Sequence, residues 1–207
     1  MRETHYISTA LLDLAILKDI VENDKALELS EEAIAKINKA HTYLQKKIKE
    51  SDMPIYGINT GFGSLCDVEI SEENLSQLQE NLVMSHACGT GEFVPKNIVK
   101  LMLLLKIQSL SYGHSGVQLI TVQRLVDFYN NDIFPVIYNQ GSLGASGDLA
   151  PLAHLALPLL GMGEVYEGDA MVASEIVLKK HNWEPITLMA KEGLALLNGT
   201  QFMSAYG

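Results

Sequence analysis

The chain reads as a series of amphipathic helices separated by glycine-rich turns. Ile34, Ile37, Ala40, Leu44 and Ile48 recur at the three- and four-residue spacing that places apolar side chains on one face of a helix. Ser30 precedes them as an N-cap, Glu31 and Glu32 fall in the first turn, and Lys46, Lys47 and Lys49 gather at the far end. Each complements the helix dipole. Ser71-Glu72-Glu73 predicts the opening of a second helix with Leu75, Leu78 and Leu82 on one face and Gly89 as its stop. Pro95 predicts the first turn of a third, which runs through Leu101, Leu104 and Leu105 to Tyr112 and closes at Gly113. A fourth covers Val117 to about Tyr129. Beyond it, Glu164–Gly168 reads as a strand and turn, and short helices are predicted from Ala173 to about Lys180 and from about Ala190. The expected class is mainly α with a few short strands.

Composition narrows the function more than the fold. Of 207 residues, 47% are hydrophobic and 19% charged, which is too apolar for a disordered chain and enough to fill one good-sized core. The net charge of −10 has the wrong sign for tracking a phosphate backbone, so no nucleic-acid partner is expected. Cys66 and Cys88 have neither CxxC spacing nor a histidine cluster beside them. Two reduced, half-buried thiols are expected, and no metal. The N-terminus lacks a basic run, and Asp13 and Lys18 interrupt the apolar stretch after it, unlike a signal peptide. Leu101–Leu105 is flanked by Lys100 and Lys106, and Leu149–Met162 carries His154 and Pro158, so neither predicts a membrane span. These features predict a soluble, cytoplasmic protein without membrane contact.

The segment Gly141-Ser142-Leu143-Gly144-Ala145-Ser146-Gly147-Asp148-Leu149-Ala150-Pro151-Leu152 carries the chemistry. Glycine opens backbone conformations closed to other residues and leaves its amide nitrogen unshielded by a Cβ. The chain can therefore turn sharply enough for the Gly147 nitrogen to approach the Ala145 carbonyl carbon. Attack there closes a five-membered ring. Loss of that oxygen as water, and of the Ser146 hydroxyl as a second water, leaves an imidazolone with an exocyclic methylene. A glycine-rich loop into a helix capped by Asp148 is the plainer reading of the same residues. A phosphate-cradling loop is disfavoured, because no lysine follows the glycines and the next side chain is an acid.

The whole string resembles the signature of the aromatic amino acid ammonia-lyase family, in which Ala-Ser-Gly cyclises to 4-methylidene-imidazol-5-one. Three further segments are similar to that family in the same order. Tyr56–Gly63 resembles its tyrosine loop, Asn81–His86 its substrate-selecting segment, and Glu192–Gln201 its asparagine segment; Gly113–Val117 matches a further glycine turn.

The resemblance implies the N-terminal domain of a fumarase/aspartase-like helical lyase, with residues 1–197 forming the cofactor-bearing domain and 198–207 opening a central helical bundle. It implies Tyr56 as the catalytic tyrosine, Ala145, Ser146 and Gly147 as the source of the electrophile, and Asn198 as its hydrogen-bonding partner. Gly144 and Asp148 support ring formation. Ser85-His86 is the pattern of histidine-specific members, with the imidazole of His86 facing that of the substrate, and Gln201 points the same way. The implied reaction removes ammonia from L-histidine to give urocanate in a homotetramer. Tyrosine- or phenylalanine-specific lyases and aminomutases are the alternatives, and a catalytically silent fold or assembly fragment is the alternative of another kind. Tyr138 and Gln108 depart from residues common in the family, proline and asparagine respectively. Family members are more than twice this long, which implies that residues 1–207 alone do not turn over substrate.

Overall fold

The computed structural model describes residues 2–50, 55–60, 70–71, 74–142 and 147–207. The chain opens with a parallel crossover. Strand β1 (Thr4–Ile7) leads into helix α1 (Leu14–Glu22), which returns the chain so that β2 (Ala26–Leu29) pairs alongside β1, Thr4 opposite Ala26 and Ile7 opposite Leu29. Asp13 caps α1 by accepting from the Ile16 amide at 2.8 Å. Neither short strand nor α1 was expected from the sequence. The pair is fastened to the body by Asn130, whose side chain accepts from the Leu27 amide and donates to the Leu27 carbonyl, both at 2.8 Å.

Helix α2 (Glu31–Glu50) begins where the Ser30 cap predicts, with the Ser30 hydroxyl 3.2 Å from the Ala33 amide. Its buried face is Ala33, Ile37 and Leu44. Helix α3 (Leu75–His86) starts after the predicted acids, of which Glu72 and Glu73 lie outside the described residues. Strand β3 (Thr90–Phe93) follows, and Pro95 then precedes α4 (Lys96–Ser111). Almost every turn of α4 is buried on more than one side, through Val99, Met102, Leu103, Leu104, Lys106, Ile107 and Leu110. It is the axis of the core, with α2 on one flank and α5 (Leu119–Asn130) on another. Gly113 ends it at φ +72, where a Cβ would stand 2.8 Å from the Lys36 backbone of α2. Only glycine allows both that turn and that approach.

The remaining elements are short. Strand β4 (Ile133–Pro135) pairs with β6 (Glu164–Glu167), which pairs with β7 (Ala170–Ala173), and β5 (Tyr138–Gln140) pairs antiparallel with β3. Helix α6 (Leu149–Ala156) runs into a single 3-10 turn at Leu157–Leu160. Helices α7 (Ser174–Lys180), α8 (Glu192–Leu197) and α9 (Gln201–Tyr206) complete the chain. Helix α3 packs on both α6 and α8, while α9 lies against α4 and α6. Among the described residues, Cys88 is exposed rather than half-buried, because it follows the end of α3 on the surface; Cys66 lies outside them. No described helix is long and apolar enough to cross a membrane, and no described cluster of acids, histidines or cysteines could hold a metal.

Candidate functional site

The site gathers where the glycine-rich loop meets the turn between α8 and α9. Leu143, Gly144, Ala145 and Ser146 lie outside the described residues, so the predicted ring-forming pair is bracketed by Ser142 and Gly147. Gly147 has φ +133, and a Cβ there would stand 2.5 Å from the Gly199 carbonyl oxygen. Backbone conformation and space both demand glycine. The neighbouring amide is then fixed: Asp148 N–H donates to the Gly199 carbonyl at 2.8 Å. Two segments fifty positions apart in sequence are thus joined backbone to backbone.

Asp148 does not cap the helix it precedes. Its side chain makes no capping bond to α6, because both carboxylate oxygens are engaged elsewhere. Oδ1 accepts from the Ser142 hydroxyl at 2.8 Å, and Oδ2 accepts from the Met203 amide in the first turn of α9 at 3.0 Å. One buried acid therefore ties the start of the loop, its end and α9 together, while completing an N-terminus that Thr200 leaves uncapped.

Asn198 ends α8 and its side chain is exposed, with no hydrogen-bond partner among the described residues. Its backbone is held on both sides: its N–H donates to Leu194 at 2.9 Å, and its carbonyl accepts from Lys106 Nζ at 3.3 Å. Gln201 folds its amide over Gly199, and its Oε1 is buried without a partner among the described residues. Gly147, Asp148, Asn198 and Gln201 are thus brought to one place.

Ser85 and His86 stand on the last turn of α3. His86 Nδ1 lies 2.8 Å from the Leu82 carbonyl, an acceptor, so Nδ1 carries the proton. In a neutral ring that leaves Nε2 as the acceptor. Ser85 hydroxyl donates to the same carbonyl at 3.1 Å and stands 3.2 Å from His86 Nδ1, further restricting the ring. Tyr56 sits on a separate turn, largely exposed, where Gly57 takes φ +74 and its amide donates to Thr60 Oγ1 at 3.3 Å. Asn59 tightens this turn by accepting from the Ile55 amide at 2.6 Å. Gly61, Phe62 and Gly63 of the predicted tyrosine loop lie outside the described residues.

Four supporting groups escape a reading of the sequence alone: Ser142, Gln79, Lys106 and Glu192. The Glu192 carboxylate is fully buried yet faces no cation among the described residues. It accepts instead from the Gln118 amide, the Gln118 side chain, Thr121 Oγ1 and the Met189 amide, at 2.6–2.8 Å. Gln79 of α3 accepts from the Gly193 amide at 3.0 Å. Burial pushes the Lys106 amine down to about 7. The signal for Lys106 was its place between Leu105 and Ile107 inside an apolar helix.

Residues 12–207 match the family model described as aromatic amino acid lyase. A histidine ammonia-lyase of Legionella pneumophila (strain Lens) is 47% identical over 205 residues, covering 99% of this chain and 40% of the relative. Among solved structures, histidine ammonia-lyase from Trypanosoma cruzi is similar with TM-score 0.86 and 38% identity, over 98% of this chain and 39% of that one. Tyrosine aminomutase from Streptomyces globisporus is similar with TM-score 0.87 and 32% identity, over 99% of this chain and 38% of that one. The chain thus spans about 40% of the length of the relatives it matches.

Proposed function

Because this chain belongs to the aromatic amino acid lyase family, we propose that it forms the N-terminal part of a carbon–nitrogen lyase that removes ammonia from L-histidine to give urocanate. In this reading Ala145-Ser146-Gly147 becomes 4-methylidene-imidazol-5-one, and the whole enzyme is a cytoplasmic homotetramer of the fumarase/aspartase-like helical superfamily. Residues 1–197 are its cofactor-bearing domain and 198–207 lead into the central bundle. The observation that carries the proposal is the bond from the Asp148 amide to the Gly199 carbonyl, which puts the ring-forming segment against the asparagine that would serve it.

The residues present fit the group. Gly147 stands where a Cβ has no room, and Asp148 grips both ends of the loop. When formed, the group supplies an electrophilic methylene that turns the substrate's ammonium into a better leaving group. The chain's own side chains do the rest. Asn198, whose side chain is exposed, would hydrogen-bond the group and the bound amino acid. Tyr56 takes the β-proton, for which its phenol must be transiently deprotonated. The β-carbon electrons form the new double bond as the amine departs as ammonia. His86 presents Nε2 as an acceptor to the substrate imidazole N–H, with Ser85 and Gln201 completing the contact.

The relative at 47% identity supports histidine as substrate, and the similarity to tyrosine aminomutase makes tyrosine the competing one. The test uses the full-length polypeptide that carries this chain. Ring formation makes it about 36 Da lighter than its sequence mass, a shift abolished in Ser146→Ala. Urocanate and ammonia from histidine support the proposal. Coumarate or a β-amino acid from tyrosine would reassign the substrate, and an unshifted mass with no ammonia would leave a silent fold module.

A further inference from the structure

Helix α8 is short, yet it carries Asn198 at its end, and both its termini are held by ionisable side chains buried in the core. At its start Glu192 accepts four hydrogen bonds from neutral donors. At its finish Lys106, 1% exposed, reaches out of α4 and donates to the Ala195 carbonyl at 2.9 Å and the Asn198 carbonyl at 3.3 Å. The acid at the N-terminus matches the helix dipole, and the amine at the C-terminus donates to carbonyls left open there. No carboxylate faces Lys106 among the described residues, so ion pairing does not explain its burial.

A buried amine without a counter-ion is costly, and an apolar side chain would fill the same space in α4 without that cost. What only the amine supplies is a pair of donors aimed at the two carbonyls that the end of α8 leaves without helical partners. One of those carbonyls belongs to Asn198. The next residue, Gly199, holds the Asp148 amide. We propose that Lys106 is a positioning residue that locks the Asn198–Gly199 turn from below, setting the direction of the Asn198 amide and the seat of the Gly147-Asp148 segment. The catalytic part of this inference rests on the lyase reading above; the mechanical part does not.

The test replaces Lys106 in the full-length enzyme by methionine, which keeps the stem and removes the donors. Amide hydrogen exchange over residues 192–203 reports the turn directly. Lys106→Met accelerates exchange there while α4 and α5 keep their protection. In steady-state kinetics Lys106→Met lowers kcat about tenfold or more, with KM moved by less than about threefold, as expected when ground-state binding is kept. If Lys106 acts through Asn198, Asn198→Ala masks the loss, so the double variant matches Asn198→Ala alone. Unchanged exchange and kcat in Lys106→Met, or losses that multiply in the double variant, would overturn the proposal. Should Lys106→Met fail to fold, Lys106→Leu, which also removes the donors, is read in the same way. Failure of both to fold would assign Lys106 to stability alone and equally overturn it. An unaltered enzyme that releases no ammonia would remove the lyase reading, while exchange over 192–203 would still decide whether Lys106 holds the turn.

Discussion

The Asp148 carboxylate and the Met203 amide stand 3.0 Å apart, a cap supplied to α9 by the residue that opens α6. The acid's other oxygen holds Ser142, so one side chain stabilises a helix and shapes the loop before it. Asp148→Ala therefore has two expected consequences. Loss of the cap destabilises the protein by about 1 kcal/mol, read as a lowered thermal midpoint. Slackening of the loop leaves a measurable fraction of the full-length chain without the two-water mass loss. An unaltered midpoint with complete mass loss would remove both roles.

Gly147→Ala asks a backbone at φ +133 to carry a Cβ placed 2.5 Å from the Gly199 oxygen. The strain alone is of order 1–3 kcal/mol, and the clash adds to it. The expected outcome is a chain at its full sequence mass, with no near-ultraviolet band from the electrophile. A shifted mass in this variant would mean that the segment closes by a different backbone path.

His86 is held by a bond from Nδ1 to the Leu82 carbonyl, and in the proposed lyase Nε2 is the atom that meets the substrate. His86→Ala should raise KM for histidine about tenfold, the worth of one hydrogen bond to a partly charged partner, with a smaller effect on kcat. A KM that stays put would place substrate selection elsewhere.

Burial lowers the Lys106 amine from its ordinary value of 10.5 to about 7. Between those two values the unfolded chain binds a proton that the folded chain does not. Stability from this group is therefore fully present above 10.5 and is lost as pH falls through the window to about 7. The whole effect is on the order of 5 kcal/mol. Thermal midpoints of the unaltered protein and of Lys106→Met, compared from pH 7 to about 9.5, should diverge, with the steeper rise in the unaltered protein. Parallel curves would mean that Lys106 stays charged when folded.

Helices α2 and α4 were readable because their signals are local. Ser30, Pro95 and Gly113 each act within one turn of the element they start or stop, and α2 and α4 follow them closely. The β1–β2 pair was not readable: four residues show too little alternation, and what fixes the strand is Asn130, far along the chain. Asp148 illustrates the same limit within the site. An acid before a helix reads as that helix's cap, and only the placement of Ser142 and Met203 shows that its oxygens are already taken. Lys106 looked like the polar flank of an apolar run because its acceptors, Ala195 and Asn198, lie about ninety positions away.

The bond from Asp148 to Gly199 also dictates an order of assembly. A growing chain still attached to the ribosome, with residue 148 out and residue 199 not yet made, has nothing to seat the glycine loop against. In the proposed lyase, maturation of that loop would wait for the α8–α9 turn to emerge, and no reactive alkene would be exposed on a half-made polypeptide.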